Sequence, residues 1–174
     1  MMLVTGGLGM IGAHTARALV DLGHEVVVTA HRRTEVPSFL AGRVTVESLD
    51  VTDRDAFLDL AHRHDIRDIV HLAGTIPGDD PVSFFRTETA GLLTALDAAR
   101  TWGVRRFAVA SSLGVYIGRA ETPWHEELAL PAVALPAFDC RVQEGRRARL
   151  HAQPAGQRCS TGRAPDREHL GSTI

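Results

Sequence analysis

The stretch VTGGLGMIG, Val4 to Gly12, decides the fold. It leaves an apolar run, "MLVT", and enters a segment of helical periodicity, so Gly6, Gly9 and Gly12 stand at a strand-to-helix turn. Glycine without a Cβ permits a tight turn, a close approach of backbone to a pyrophosphate, and close packing of helix on strand. The helix start then offers its unbonded N–H groups, around Leu8 to Ile11, and its positive dipole end to the same phosphates. A turn that is merely tight does not need three glycines. The stretch therefore reads as a nucleotide-binding loop.

Outward from it, apolar runs rich in β-branched residues alternate with helical periods. "EVVVTA", "RVTVES", "DIVHLA" and "RFAVAS" follow "MLVT", giving five expected strands. Each run is nearly continuous rather than alternating in polarity, as in parallel strands covered on both faces. Between them, Ile11, Thr15, Leu19 and Leu22 form one stripe that ends at Gly23. Thr52, with Asp55 three residues on, resembles a capping box ahead of Phe57, Leu60 and Ala61. Asp80-Pro81 reads as the N-cap and first turn of a long helix carrying Phe85, Leu92, Leu96, Ala99 and Trp102 to Gly103. Repeated strand and helix predict an α/β fold, a Rossmann-type doubly wound parallel sheet of about five strands in a single domain.

The chain has 174 residues, 44% hydrophobic and 23% charged, which suits one soluble globular core. No apolar run is long enough to span a bilayer, and the start lacks a signal peptide's basic and apolar regions. The expectation is a cytoplasmic protein with no membrane partner. Cys140 and Cys159 stand far apart without metal-ligand spacing, and no metal site is expected. His62 and His64 flank Arg63 at a helix end and suit its negative dipole, while Asp79 and Asp80 read as caps.

The formal net charge of −2 is unevenly spread. Residues 1–140 hold 12 Arg against 18 acids, and residues 141–174 hold 7 Arg against 3. A dinucleotide-binding domain over 1–140 and an arginine-rich irregular tail over 141–174 are therefore expected. "GRAETPWHEELALPAVALPA" before that boundary reads as loop because of its three prolines. The tail has no aromatic interleaving and no long basic run, which argues against nucleic acid as a partner. A loosely docked or disordered segment and an out-of-frame stretch, which would make the chain a truncated relative of an active enzyme, both remain open.

Taken in order, the glycine loop, "LDVTD" (Leu49 to Asp53), "VHLAG" (Val70 to Gly74), "ETAGLLTALDAAR" (Glu88 to Arg100) and "RFAVASSLGVY" (Arg106 to Tyr116) make the chain resemble the extended short-chain dehydrogenase/reductase family of epimerases and dehydratases. The resemblance covers about residues 3–117 and departs from the family where Glu88 replaces its usual Asn. It implies that Gly6, Gly9, Met10, Ile11, Asp50, Val51, Leu72, Ala73 and Gly74 line a dinucleotide. It also implies that Ser112, beside Ser111, occupies the catalytic serine position, where its hydroxyl would polarise a substrate oxygen. A polar strand end satisfied by backbone is the competing reading of both serines. His71 is the family's "HLA" residue and reads as structural.

The family's reaction is hydride transfer between nicotinamide and a carbon of a sugar or small alcohol, with a Tyr-x-x-x-Lys pair on one helix face exchanging the alcohol proton. This chain has no lysine, and its one tyrosine, Tyr116, ends the fifth strand instead. Where the helix is expected, "PAFDCRVQEGRRARLH" (Pro136 to His151) offers Phe138, Arg141 and Arg146. Phenylalanine moves no proton and arginine keeps its charge, so catalysis is expected to be impaired. The family's substrate-binding lobe is also expected to be missing. The alternative is a non-catalytic NADP-binding sensor or interaction module.

Cofactor choice rests on "VVVTAHRR", Val26 to Arg33. Family spacing puts Ala30 where NAD-selective members carry an acid for the adenosine ribose, and His31, Arg32 and Arg33 follow. NADP is therefore expected to be preferred over NAD, chiefly through Arg32. An open edge at the fifth strand and the apolar side of the Asp80–Gly103 helix, which in the family often meets a partner's helix, predict a homodimer or larger species.

Overall fold

The computed structural model describes residues 1–76, 80–116 and 119–129. Five short strands, β1 (Met2–Thr5), β2 (Val26–Ala30), β3 (Thr45–Ser48), β4 (Asp68–His71) and β5 (Arg106–Val109), form one sheet in the order β3-β2-β1-β4-β5. Every pairing is parallel, with Leu3 opposite Val27 on one side and Ile69 on the other. Helices α1 (Met10–Asp21), α2 (Arg54–Arg63) and α3 (Pro81–Trp102) make the crossovers, and a 3-10 turn (Leu113–Tyr116) follows β5. The chain goes outward from β1 to β2 and β3, then returns to the other side of β1 for β4 and β5. Strand order thus reverses at β1 and β4, which opens a crevice above their carboxyl ends. The expected Rossmann-type doubly wound sheet is the one found.

Two apolar layers hold the sheet. Leu3, Val27, Phe57, Leu60, Ile69, Ala95 and Ala98 join α2 and α3 to one face, where Phe57 stacks on Trp102 at a centroid distance of 5.8 Å. Val4, Leu8, Ala13, Ala16, Val28 and Leu40 join α1 and the segment after β2 to the other. Strands β1 and β2 are covered on both faces, whereas β3 and β5 are not. The expectation of two-sided burial therefore fails at these two strands, which are the edges of the sheet among the described residues.

Three helix readings need correction. The buried side of α1 is Gly12, Ala13 and Ala16, while Ile11 and Leu22 are exposed. Small residues let this helix lie close on the sheet, which leaves Thr15 and Leu19 half-buried at its flank, with Leu19 against the core, and turns Ile11 and Leu22 outward. The cap of α2 is Asp53, whose carboxylate accepts from the Ala56 amide at 3.0 Å, and Ala61 is exposed. Thr52 is engaged one step earlier, by Asp50. In α3, Asp80 caps as expected, accepting from Val82 and Ser83, and Gly103 ends the helix at φ 62°. Its buried side, however, includes Phe84, Gly91, Leu92, Ala95 and Ala98, leaving Phe85 exposed. With two phenylalanines adjacent, periodicity alone does not say which one faces the sheet.

Asp79, Phe138, Cys140, Arg141, Arg146, Cys159 and the expected boundary near 140 lie outside the described residues.

Candidate functional site

The turn after β1 is built around Gly6, Gly7, Gly9 and Gly12. Gly6 has φ +65°, and a Cβ there would stand 2.9 Å from the backbone of Ala73 at the end of β4. A Cβ on Gly12 would overlap the Gly6 carbonyl oxygen and come within 2.8 Å of Gly7 Cα. Gly7, not singled out by the sequence pattern, is pressed against the Val28 side chain of β2 and donates to the Thr29 carbonyl at 2.9 Å. The Gly9 amide closes the turn onto Gly6 O at 2.9 Å. Gly9 also caps α1 without a side-chain acceptor, and no acid occupies the first turn. The leading N–H groups of a helix have no intrahelical acceptor, so those of Met10, Ile11 and Gly12 face the crevice end with the dipole's positive pole.

Behind the turn, the Thr5 hydroxyl ties β1 to β4. Its oxygen accepts from the Leu72 and Ala73 amides, each at 3.1 Å, and lies 2.9 Å from His71 Nδ1. With two amides donating to that oxygen, its own proton points to Nδ1, which makes Nδ1 the acceptor. His71 is buried, so its reading as a structural residue fits this hydrogen bond. The sequence signal for Thr5 was slight: one polar residue closing an apolar strand.

Beside the turn lies a cleft of about 320 Å³. Of the residues expected to hold a cofactor, it brings together Gly6, His31, Arg32, Asp50, Val51, Ala73 and Gly74. Gly9, Met10, Ile11 and Gly12 belong to the adjoining turn and helix start, with Met10 and Ile11 exposed. Leu72 is half-buried just before Ala73, and neither it nor the exposed Arg33 lines the cleft. Ser111 and Ser112 are exposed beyond β5, also outside it. The Ser112 hydroxyl oxygen accepts from the Gly114 amide at 3.0 Å and so starts the 3-10 turn. Tyr116 is buried in that turn, tilted against Trp124 at 5.7 Å.

Electrostatics divide the cleft. On the β2 side, His31 Nε2 stands 3.7 Å from Asp50 Oδ2, and Arg32 lines the same wall. Asp50 Oδ1 accepts from the Thr52 amide at 2.9 Å and hydroxyl at 2.8 Å. Those two bonds first, and the charges of His31 and Arg32 after them, hold the Asp50 carboxyl below its ordinary pKa. On the opposite side is Glu88, only 4% exposed, whose Oε1 accepts from the Thr75 amide at 2.6 Å and hydroxyl at 3.2 Å. Thr29, Thr75 and Thr87 also line the cleft and were not read from the sequence, since a threonine within an apolar pattern carries no spacing signal.

Elsewhere, His62 Nδ1 pairs with Asp59 at 3.0 Å and His64 Nε2 with Glu47 at 2.6 Å. Both histidines thus sit at the end of α2 beside carboxylates. Among the described residues no group of three or more His, Cys, Asp or Glu could hold a metal, and no helix is long and apolar enough to cross a membrane.

Comparison with known proteins agrees with this geometry. The family model for the NAD dependent epimerase/dehydratase family matches residues 2–138. A UDP-glucose 4-epimerase of Klebsiella pneumoniae is 32% identical over 135 residues, covering 71% of this chain and 97% of that sequence. The UDP-glucose 4-epimerase of Rhizobium meliloti is 34% identical over 118 residues, which are 66% of this chain and 36% of that protein. Among solved structures, the Stenotrophomonas maltophila UDP-glucose-4-epimerase with bound NAD and formylated UDP-arabinopyranose superposes with a TM-score of 0.75 at 24% identity. That match covers 86% of this chain and 47% of the other, so it speaks for the fold alone. The K. pneumoniae sequence apart, the chain spans less than half the length of these relatives. Glycine turn, crevice, strand order and family match converge: the chain belongs to the NAD-dependent epimerase/dehydratase family, within the extended short-chain dehydrogenase/reductases, and corresponds to the N-terminal half of its longer members.

Proposed function

We propose that this chain binds a nicotinamide dinucleotide in the β1/β4 crevice, takes NADP in preference to NAD, and catalyses hydride transfer poorly or not at all. The observation that carries the proposal is the cleft wall itself, where Gly6 and the Asp50-Val51 pair meet His31 and Arg32. The cradle suits a dinucleotide by its donors: with no room for a Cβ on Gly6 against Ala73 or on Gly12 against Gly6, the turn stays tight and the uncapped start of α1 is turned to the crevice. In this reading the pyrophosphate takes the amides of Met10, Ile11 and Gly12 at the uncapped start of α1. Asp50, Val51, Leu72, Ala73 and Gly74 flank the nucleosides. Once bound, the nicotinamide would supply the hydride donor or acceptor, and Ser112, beside Ser111, would polarise a substrate oxygen. Relatives from K. pneumoniae and S. maltophila are UDP-glucose 4-epimerases, which makes a nucleotide sugar the first substrate class to test.

NADP preference follows from charge. Ala30 presents no carboxylate to a ribose or against a 2′-phosphate, and Arg32 lines the cleft with His31, Arg33 following in sequence, so in this reading Arg32 takes that phosphate. A hydrogen bond to a charged group contributes about 1.5–3 kcal/mol, so one arginine contact favours NADP by about one to two orders of magnitude. In calorimetric titrations NADP should bind more tightly than NAD, and Arg32→Ala or added salt should erase most of the difference. Equal affinities in the unaltered protein would sink the assignment.

The missing Tyr-x-x-x-Lys pair supports loss of proton exchange, because the chain holds no lysine to lower a tyrosine's pKa. A second function follows from that absence: cofactor occupancy, not turnover, would be the output of an NADP-binding sensor or interaction module.

Self-association completes the proposal. Strand β5 is an edge among the described residues, and Val82, Phe85 and Leu93 expose apolar surface along α3. Light scattering at micromolar concentration should give a dimer or larger species. A sharply monomeric profile would remove this part.

A further inference from the structure

We propose that Glu88 is a positioning and affinity-setting residue of the cleft: it fixes the segment after β4 by hydrogen bonds and, by its charge, weakens the hold on anionic nucleotides. The inference rests on the nucleotide-binding reading above. Three observations meet at this side chain. Glu88 lines the cleft yet is only 4% exposed. Its Oε1 accepts from both the amide and the hydroxyl of Thr75, at 2.6 and 3.2 Å, so α3 holds the Gly74-Thr75 step directly. A Cβ on Gly74 would come within 3.1 Å of the same carboxylate, which shows how closely the backbone is applied to it.

From there to the phosphate turn is a short path. Glu88 abuts Gly74, Gly74 follows Ala73, and the Ala73 backbone abuts Gly6. The pyrophosphate expected over Gly6 to Gly12 therefore lies at the Gly6 end of the cleft whose lining includes the Glu88 carboxylate. Like charges repel across such a cleft more strongly than in bulk water, because little solvent intervenes. The uncapped helix start attracts the phosphates and Glu88 opposes them. The net result is a cofactor held less tightly than the turn alone would allow, and weaker binding appears mainly as faster release. An exchangeable cofactor suits a protein whose output is occupancy.

The two roles separate by substitution. In Glu88→Gln the side-chain carbonyl still accepts from Thr75, but the charge is gone. In Glu88→Ala both are lost. Affinities of NAD and NADP are measured by calorimetry on the full chain, and of uncharged adenosine by NMR titration, at low and high salt. Glu88→Gln should bind both dinucleotides about three- to tenfold more tightly, keep most of that gain as salt is raised because the carboxylate is buried, and leave adenosine unchanged. Glu88→Ala, where it folds, should bind adenosine more weakly than Glu88→Gln does, because Thr75 is no longer held. If Glu88→Gln binds the dinucleotides no more tightly than the unaltered protein, or gains equally for adenosine, the inference is overturned while the nucleotide-binding reading stands. If the unaltered protein and Glu88→Gln both bind neither dinucleotide, that reading falls and takes the inference with it.

Discussion

Assayed with NADPH or NADP and a panel of carbonyl compounds and nucleotide sugars, the protein is expected to show turnover two to four orders of magnitude below that of an enzyme with a positioned acid/base, the range such a group typically supplies. The physical ground is the absence of any lysine in the chain together with the placement of Tyr116. Its ring is buried in the 3-10 turn behind β5, against Trp124, rather than on a following helix beside a cation. Ser112 is exposed at the carboxyl end of the sheet, but its oxygen already accepts the Gly114 amide, and a serine alone relays no proton from an alcohol. Ser112→Ala should therefore lower only this already small residual rate. Vigorous NADPH oxidation that disappears in Ser112→Ala would contradict this.

Gly12→Ala is expected to abolish dinucleotide binding, with affinity lost by more than about a hundredfold, and to destabilise the fold by about 1–3 kcal/mol, the usual cost of an overpacked position. The added methyl would overlap the Gly6 carbonyl oxygen and press on Gly7 Cα, both of them backbone. No side-chain rotation relieves such a contact. Either α1 lifts from the sheet, or the Gly6–Gly9 turn opens and misdirects the amides meant for phosphate. Gly23→Ala is the control: its φ of +86° also strains an added side chain, but nothing lies within 4 Å and it is remote from the cleft. It should cost stability and leave binding intact. Denaturant unfolding and calorimetry of the two variants distinguish these outcomes, and Gly12→Ala that binds like the unaltered protein would refute the role given to the turn.

What was legible in the sequence follows from what each signal depends on. The glycine turn and the parallel strands are read from short stretches, since three glycines stand at one strand-to-helix turn and each strand is a continuous apolar run, whereas the strand order emerged from the fold. Helix faces were less legible. In α1 the sheet takes Gly12, Ala13 and Ala16, whose small size lets them sit closest, so a search for large apolar residues picks a stripe of which Leu19 packs on the core and Ile11 and Leu22 do not. The choice of Phe84 over Phe85, and of Asp53 over Thr52 as cap, turns on one residue of rotation that adjacent similar side chains do not reveal. Of the cleft lining, Asp50, Val51, Ala73 and Gly74 were readable through motif order, whereas Thr5, Thr29 and Thr75 act through hydrogen bonds to partners far along the chain. Such bonds leave no period in the sequence. Glu88 was visible only as a departure from the family's usual Asn, and its contact with Thr75 emerged from the fold.

A crystal structure of the chain with NADP decides whether the turn after β1 and the His31-Arg32 wall together form an NADP site. Pyrophosphate oxygens should lie within hydrogen-bond reach of the Met10, Ile11 and Gly12 amides, and the 2′-phosphate should meet the Arg32 guanidinium beside His31. A dinucleotide bound elsewhere, or one in this crevice with its 2′-phosphate turned away from Arg32 into solvent, would contradict the claim.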